Sequence, residues 1–258
     1  MRHLLLIALC ILAGCQGWQK PLPPKPARSS TFHTNKLQAI GEAVSEARAA
    51  GELPGGVLWI DHSGTTFTKT YGRISEQPES APARLNALYD AASLTKAFAT
   101  TPAILRLWER GKLGLDDKIT KYIPKFAGNG RDAITIRQLL THTSGLRPDI
   151  SLKGWNGHGE CMTKCCAETP RHPPGEVFIY SDINFLLLGA IVERVSGESL
   201  SEFSQGRIFG PLGMTDTLFR PVASLKDRIA PTEACGRLAW PCGGPGAEML
   251  RGTVHDPT

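Results

Sequence analysis

One short run, Asp90-Ala-Ala-Ser93-Leu-Thr-Lys96, most constrains the fold of this chain because it holds the only Ser-x-x-Lys pair in the sequence. The segment that follows, 97–110, is long, apolar and free of glycine, which is typical of a buried helix. Its one proline, Pro102, predicts a kink or a shift in the helix start. With Ser93 at the beginning of that helix, Lys96 follows one turn later on the same face.

This pairing of residue types points to nucleophilic catalysis. A serine hydroxyl is a poor nucleophile until a nearby base takes its proton, and a lysine can be that base, or help to position one, when burial or charged neighbours lower its pKa. The pair also arises by chance in chains of this length, so structural context has to support it. No Gly-x-Ser-x-Gly run offers a competing nucleophile. His142 and Ser144 lie in one short loop, but adjacency in sequence does not make them a catalytic pair. We expect this loop to pack under the site.

A third group must pass the proton between the nucleophile and the leaving group, and Tyr180 is the candidate. It precedes a strongly apolar segment, 184–195, which predicts a buried helix ending at Ser196-Gly197. In that position the positive charge of Lys96 would favour the phenolate form of Tyr180. The alternative interpretation of Tyr180 is a partly buried aromatic side chain without a chemical role.

The N-terminus resembles a bacterial lipoprotein signal. A positive start is followed by the apolar run 4–12, which is too short to span a bilayer as a mature helix, and then by Leu12-Ala-Gly-Cys15. The resemblance implies cleavage after residue 14 and lipid attachment at Cys15, and Gln16 implies the outer membrane, facing the periplasm. The alternative is an ordinary secretory signal. We therefore expect a bacterial cell-envelope protein anchored in the membrane through Cys15.

Composition divides the remainder of the chain. The proline-rich run 20–26 predicts an extended tether over 15–35, and the domain then covers 36–258. The formal charge of +5 is mildly basic, and no Lys/Arg run accompanies it. Nucleic-acid binding is therefore not expected, whereas acidic polymers of the cell envelope stay open as partners.

Five cysteines remain after Cys10 and Cys15 are set aside, an odd number for an oxidising compartment. Cys235 and Cys242 are close enough in sequence to close a small loop. Among Cys161, Cys165 and Cys166, one either pairs with another or stays free. Their spacing matches no standard zinc pattern, so neither a metal nor another cofactor is predicted.

Local patterns predict several further elements. A helix should begin near residue 37 and end at Gly51, and Thr135 should cap a short helix over 134–140. The stretch 147–175 has no periodicity and is expected to be irregular. A β-hairpin should pair 57–60 with 65–71, and another short helix should start at Ser199.

Four blocks in fixed order resemble the serine β-lactamase family, which contains class C β-lactamases, D-Ala-D-Ala carboxypeptidases and related esterases. The likeness runs from about residue 37 to the last residue, and the run 251–256 is most similar to exported members related to penicillin-binding protein 4B. It implies an α/β (α+β) fold of the β-lactamase/transpeptidase type, an antiparallel sheet with flanking helices and a helical region. The blocks are Asp90-Ala-Ala-Ser93-Leu-Thr-Lys96, Leu139-Leu-Thr-His-Thr-Ser-Gly-Leu146, Pro174-Gly-Glu-Val-Phe-Ile-Tyr-Ser-Asp182-Ile-Asn-Phe185 and Pro211-Leu-Gly-Met214.

The resemblance implies roles for individual residues. Ser93 would be acylated by the substrate carbonyl and would supply one oxyanion donor through its backbone N–H. Lys96 would accept or relay the proton of Ser93, and Tyr180 would protonate the leaving group and activate water. Asp182 and His255 would contact the substrate, a peptidoglycan D-Ala-D-Ala peptide or a small amide or ester.

Two departures from the family pattern qualify these roles. Many relatives have Tyr-x-Asn where this chain has Tyr180-Ser-Asp182, and a carboxylate there should raise the pKa of Lys96 and hinder it as a neutral base. Tyr180 then becomes the favoured base, and strong β-lactam hydrolysis is not expected.

The second departure is the family's third block, a Lys/His-x-Gly strand, which should follow the run 251–256 at some distance. Because the sequence stops at Thr258, we expect a truncated reading frame or partial sequence rather than a natural short form, with one hairpin whose outer edge is unpaired. Three alternatives stay open: a non-catalytic envelope binding protein, an inactive fragment, and an esterase or β-lactamase.

Overall fold

The computed structural model describes residues 32–76, 79–150, 157–232 and 249–253. Within these ranges no helix is both long and apolar enough to cross a bilayer. Several predictions lie outside the described residues: the signal over 1–14, lipidation of Cys15, most of the tether, the Cys235–Cys242 loop and the substrate contact of His255.

A small antiparallel sheet forms the N-terminal part of the described chain. Strands β1 (Gly55–His62) and β2 (Thr65–Ser75) make the predicted hairpin, and Ser63 and Gly64 turn the chain with positive φ angles of 52° and 75°. A two-residue strand, β3 (Ala81–Pro82), joins the other side of β2, giving the order β1-β2-β3. Among the described residues the outer edge of β1 has no strand partner.

Helix α1 (Thr34–Ala49) packs against this sheet, where its buried Gly41 lies next to the ring of Tyr71 on β2. A Cβ at Gly41 would come within 3.3 Å of the Tyr71 hydroxyl oxygen, so the glycine permits the close approach. The helix ends before Gly51, which has a positive φ of 75°.

The helix predicted after Ser93 has two parts. A π-helical turn, Lys96–Thr100, runs directly into α2 (Thr101–Glu109), and Pro102 lies in the first turn of α2. Proline has no N–H to donate to the carbonyl four residues before it, and its ring clashes with that carbonyl. The regular α-helical hydrogen-bond pattern is therefore interrupted just before Pro102, where the helix type changes. The predicted shift at Pro102 is therefore confirmed.

Helix α5 (Asp182–Ser196) forms the centre of the hydrophobic core and ends at Gly197, where φ is 75°. Short helices α3 (Ile136–Leu140) and α6 (Leu200–Ser204) pack on it, and each begins with a reciprocal capping box, at Thr135 and Ser199. The residues of α5 that are fully buried include Ile183, Leu187, Leu188, Ile191 and Val192.

The stretch 147–175 contradicts its predicted irregularity, because it contains helix α4 (Gly157–Ala167), packed against α5. The buried face of α4 consists of Cys161 and Cys165, four residues apart and both 0% exposed. Cysteine behaves there as a small hydrophobic residue, which an apolar pattern of larger side chains does not reveal. Cys165 and Cys166 are free thiols in the described part of the chain.

Candidate active site

Ser93 lies on a tight turn between the sheet and α2, and its backbone geometry is unusual. The preceding residue, Ala92, has a φ of +43°, which is strained for a residue with a side chain. The Asp90 carboxylate stabilises this turn by accepting the N–H of Ala92 at 2.8 Å. The turn leaves Ser93 exposed, just before the helical segment whose π-helical part begins at Lys96.

Lys96 is the residue on which the predicted site residues converge. Its Nζ donates a hydrogen bond to Ser93 Oγ at 3.0 Å and forms an ion pair with Asp182 Oδ1 at 2.6 Å. The same Nζ lies 5.0 Å from the centre of the Tyr180 ring and 5.7 Å from that of Phe185. The structure thus brings Ser93, Lys96, Tyr180 and Asp182 together around one ammonium group.

The charge state of Lys96 follows from its neighbours. Partial burial lowers the pKa of Lys96, but the Asp182 carboxylate and the Tyr180 phenol together outweigh that effect and raise the pKa above its ordinary value. Its side chain is only 17% exposed, so little water screens these contacts. Lys96 is therefore an ammonium at neutral pH, as the sequence predicted from the aspartate at position 182.

Asp182 owes its position to the start of α5. It is the first residue of that helix, where the positive end of the helix dipole favours a carboxylate. Its N–H donates to the carbonyl of Pro148 at 2.7 Å, and the preceding Ser181 donates its hydroxyl to the carbonyl of Arg147 at 2.7 Å. Two hydrogen bonds, one from Ser181 and one from Asp182, thus hold the start of α5 against the segment 147–148.

The loop 141–146 lies beneath the segment that carries Tyr180, which confirms the predicted packing role. The carbonyl of His142 accepts the N–H of Ile179 at 2.8 Å, and that of Thr143 accepts the N–H of Gly175 at 2.7 Å. The buried hydroxyl of Ser144 donates to Asn184 Oδ1 at 2.7 Å.

Gly145 is required in this loop by space as well as by conformation. Its φ is +79°, and a Cβ at this position would lie 2.0 Å from the carbonyl oxygen of His172. The loop and the segment 171–175 consequently run in direct backbone contact, and Arg171 N–H donates to the Gly145 carbonyl at 2.8 Å.

Several supporting residues were missed by sequence reasoning. Asn184 is a fully buried polar residue inside an apolar helix, and that exception to the pattern is a signal that could have identified it. Arg147 pairs with Glu168 in the stretch expected to be irregular. Buried Arg131 donates to backbone carbonyls at Ala127, Gly128, Cys166 and Glu168, and no local pattern marks these partners.

No set of three or more His, Cys, Asp or Glu side chains is arranged to hold a metal ion within the ranges that the structure describes. A groove of about 370 Å³, lined in part by Lys125, Met162, Cys166 and Arg194, contains none of the four residues around Lys96. Ser93, Lys96, Tyr180 and Asp182 are the described side chains that meet around the lysine ammonium.

Comparison with known proteins gives consistent results. The family model described as Beta-lactamase matches residues 40–256. The chain is 30% identical over 260 residues to a protein of Escherichia coli (strain K12) named "Putative D-alanyl-D-alanine carboxypeptidase", covering 92% of this chain and 59% of that protein. It is 29% identical over 258 residues to "N-acetylmuramyl-L-alanine amidase" of Bacillus subtilis (strain 168), covering 89% of this chain and 58% of that protein.

A solved structure of a class C beta lactamase from Rhodobacter sphaeroides superposes with a TM-score of 0.67 at 26% identity, covering 81% of this chain and 58% of that one. The sheet with its flanking helices is therefore the β-lactamase-like fold that the sequence predicted. The chain spans less than two thirds of the length of each of these relatives.

Proposed function

Since the chain belongs to the beta-lactamase family, we propose that it is an exported, lipid-anchored serine hydrolase that forms an acyl-enzyme. Its substrates would be peptidoglycan D-Ala-D-Ala peptides or related amides and esters. The contact of Lys96 Nζ with Ser93 Oγ at 3.0 Å carries this proposal, because it joins the candidate nucleophile to the ion pair with Asp182. Relatives named as a carboxypeptidase and an amidase support an amide substrate.

In the proposed acylation step Tyr180 acts as the base. Ser93 Oγ attacks the substrate carbonyl carbon, and its proton passes to the Tyr180 phenolate, which the Lys96 ammonium stabilises by charge. The negative charge that develops on the carbonyl oxygen is stabilised by the backbone N–H of Ser93. Tyr180 then donates its proton to the leaving group, whose bond to the acyl carbon breaks.

Deacylation reverses these roles. Tyr180, again a phenolate, takes a proton from water as the water oxygen attacks the acyl carbon, and it returns that proton to Ser93 Oγ as the ester bond breaks. Lys96 stays an ammonium throughout, held in place by the partly exposed carboxylate of Asp182. A charged Lys96 supports a slow esterase or peptidase better than a strong β-lactamase.

Covalent labelling tests the acyl-enzyme. A fluorescent penicillin or a fluorophosphonate should label the full chain, and the replacement Ser93→Ala should abolish the label. The matched control Ser80→Ala removes another exposed hydroxyl and should leave labelling unchanged. Undiminished labelling of Ser93→Ala would refute Ser93 as the nucleophile.

A second candidate is a non-catalytic binding protein of the cell envelope, favoured by the ion pair between Asp182 and Lys96, which takes the lysine out of the bases available to Ser93. Peptidoglycan sacculi should then retain the protein while mass spectrometry detects no acyl adduct on Ser93. Retention together with an adduct supports the hydrolase instead.

Export and lipid attachment have their own test. In a host with an outer membrane, a radiolabelled fatty acid should be incorporated into the wild-type protein, which should fractionate with that membrane. Cys15→Ser should lose both the label and the membrane association. Incorporation of fatty acid into Cys15→Ser would contradict an anchor at that cysteine.

A further inference from the structure

His142 contacts both chain neighbours of Tyr180. Its backbone carbonyl accepts the N–H of Ile179 at 2.8 Å, and its Nδ1 accepts the N–H of Ser181 at 3.0 Å. The centre of its ring lies 4.6 Å from that of Tyr180, at an interplanar angle of 36°. His142 thus contacts the residue before Tyr180 through its backbone, and the residue after Tyr180 and the Tyr180 ring through its side chain.

The surroundings of His142 determine which nitrogen carries its proton. Nδ1 faces two donors, the N–H of Ser181 and, at 3.4 Å, Nδ2 of Asn184. The Asn184 amide is oriented by Ser144, whose hydroxyl donates to Oδ1 and leaves Nδ2 directed at the imidazole. Nδ1 must therefore be an acceptor, and the proton of the neutral ring is on Nε2.

We propose that His142 is a positioning residue that, as a neutral imidazole, holds the Ser181 amide and thereby keeps the Tyr180 phenol beside Lys96. The activity part of this inference rests on the proposed acyl-enzyme function. The positioning itself is independent of that function, because it concerns the hydrogen bond between His142 Nδ1 and the backbone of Ser181.

Protonation of His142 would remove the acceptor. The charged or titratable groups that face it are Lys96 from the start of its helix, Asp182 from α5 and Tyr180 from the preceding segment. Burial and the Lys96 charge lower the pKa of His142, and Asp182 opposes them without reversing the shift. His142 is thus neutral at pH 7 and gains a proton only in acid, where an N–H at Nδ1 would face two other donors.

Two variants separate the acceptor from the ring. His142 has a φ of +56°, which asparagine tolerates, and asparagine places its Oδ1 where histidine has Nδ1. His142→Asn therefore keeps an acceptor for Ser181 that does not titrate. His142→Leu keeps side-chain bulk but removes the acceptor.

The test measures the acylation rate by fluorescent penicillin as a function of pH, and hydrogen exchange of the Ser181 amide. We expect His142→Leu to slow acylation about tenfold or more at neutral pH and to accelerate exchange at Ser181, while exchange in α2 stays unchanged. His142→Asn should stay within a few-fold of wild type at neutral pH, and its rate should fall less in acid than the wild-type rate, because the asparagine acceptor does not titrate.

Two results would overturn the inference: a wild-type rate and wild-type Ser181 exchange in His142→Leu, or an acid loss of rate in His142→Asn equal to that of wild type. Absence of labelling in every protein, wild type included, would refute the proposed function instead. Exchange at Ser181 would still decide whether His142 holds that amide.

Discussion

Lys96 and Asp182 form an ion pair of 2.6 Å, and the carboxylate comes from the first residue of a helix far along the chain from the lysine. The pair fixes the lysine as an ammonium, because the raised pKa of Lys96 depends on that carboxylate as well as on Tyr180. The same Nζ is bonded to Ser93 Oγ. The ion pair therefore determines which group near Ser93 is available as a base.

Asp182→Asn should accelerate acylation of Ser93 near neutral pH. Loss of the carboxylate removes a contact that raises the pKa of Lys96, so the neutral amine becomes available as a base at lower pH. Each unit by which the pKa of Lys96 falls raises its neutral fraction roughly tenfold. The rate of labelling against pH should therefore rise at a lower pH than in wild type.

The matched control is Asp61→Asn, which removes a carboxylate from the exposed end of β1. It should leave the pH profile unchanged. A profile of Asp182→Asn that coincides with that of wild type would show that the ion pair does not govern the base.

Tyr180→Phe should slow acylation by about 10²–10⁴-fold, the usual contribution of a general acid or base. The ring contact with His142 persists in phenylalanine, so the loss reports on the phenol oxygen alone. Tyr89→Phe is the comparison, because Tyr89 is 46% exposed and Tyr180 is 45% exposed. Single-turnover labelling measures both rates, and equal rates would exclude Tyr180 as the base.

Gly145→Ala should destabilise the protein far more than Gly130→Ala. The two glycines have φ angles of +79° and +81°, so the cost of a left-handed backbone is about 1–2 kcal/mol in each. Only Gly145 adds a clash, because its Cβ would lie 2.0 Å from the His172 carbonyl, whereas nothing lies within 4 Å at Gly130. Urea unfolding compares the two variants, and equal losses of unfolding free energy would contradict the close backbone contact.

Asp117 should give the protein a stability that disappears in acid. Contacts with Lys121, Tyr122 and the Gly114 N–H lower the pKa of Asp117 from 3.8 to about 2. A depressed pKa stabilises the fold above pH 3.8, and that contribution is lost as the pH falls through about 2. Asp117→Asn should therefore lower the unfolding free energy at pH 7 by about 1 kcal/mol, a value reduced for solvent screening.

Guanidinium unfolding at several pH values checks this expectation, and the difference between wild type and Asp117→Asn should shrink between about pH 4 and pH 2. The neighbouring Asp116, whose side chain is 75% exposed, supplies the control variant Asp116→Asn, with a smaller effect. A difference for Asp117→Asn that does not depend on pH would show that the ionised carboxylate is not responsible.

Sequence patterns predicted the elements whose signals are local. The hairpin, the shift at Pro102, the Thr135 cap and the stop at Gly197 each depend on residues within a few positions of one another, and all four are present. The family resemblance predicted that Ser93, Tyr180 and Asp182 meet at Lys96, and that Asp182 raises the pKa of Lys96. The substrate contact of His255 and the lipidation of Cys15 stay predictions.

Other features depend on partners distant in sequence, which a local pattern does not encode. Helix α4 buries cysteines rather than large apolar residues, so periodicity missed it. Arg131 is bonded to carbonyls as distant as Cys166 and Glu168, and Arg147 is paired with Glu168. The acceptor role of His142 likewise depends on a contact with Ser181, which lies far along the chain from it.

The separation of Lys96 and Asp182 along the chain has a consequence for biosynthesis. Ser93 and Lys96 leave the ribosome first, and the helix that supplies Asp182 is made later and must close a long loop before it can dock. Until then the serine has neither its tyrosine partner nor the ordered ammonium. The nascent chain therefore lacks the complete site until α5 has docked on the core.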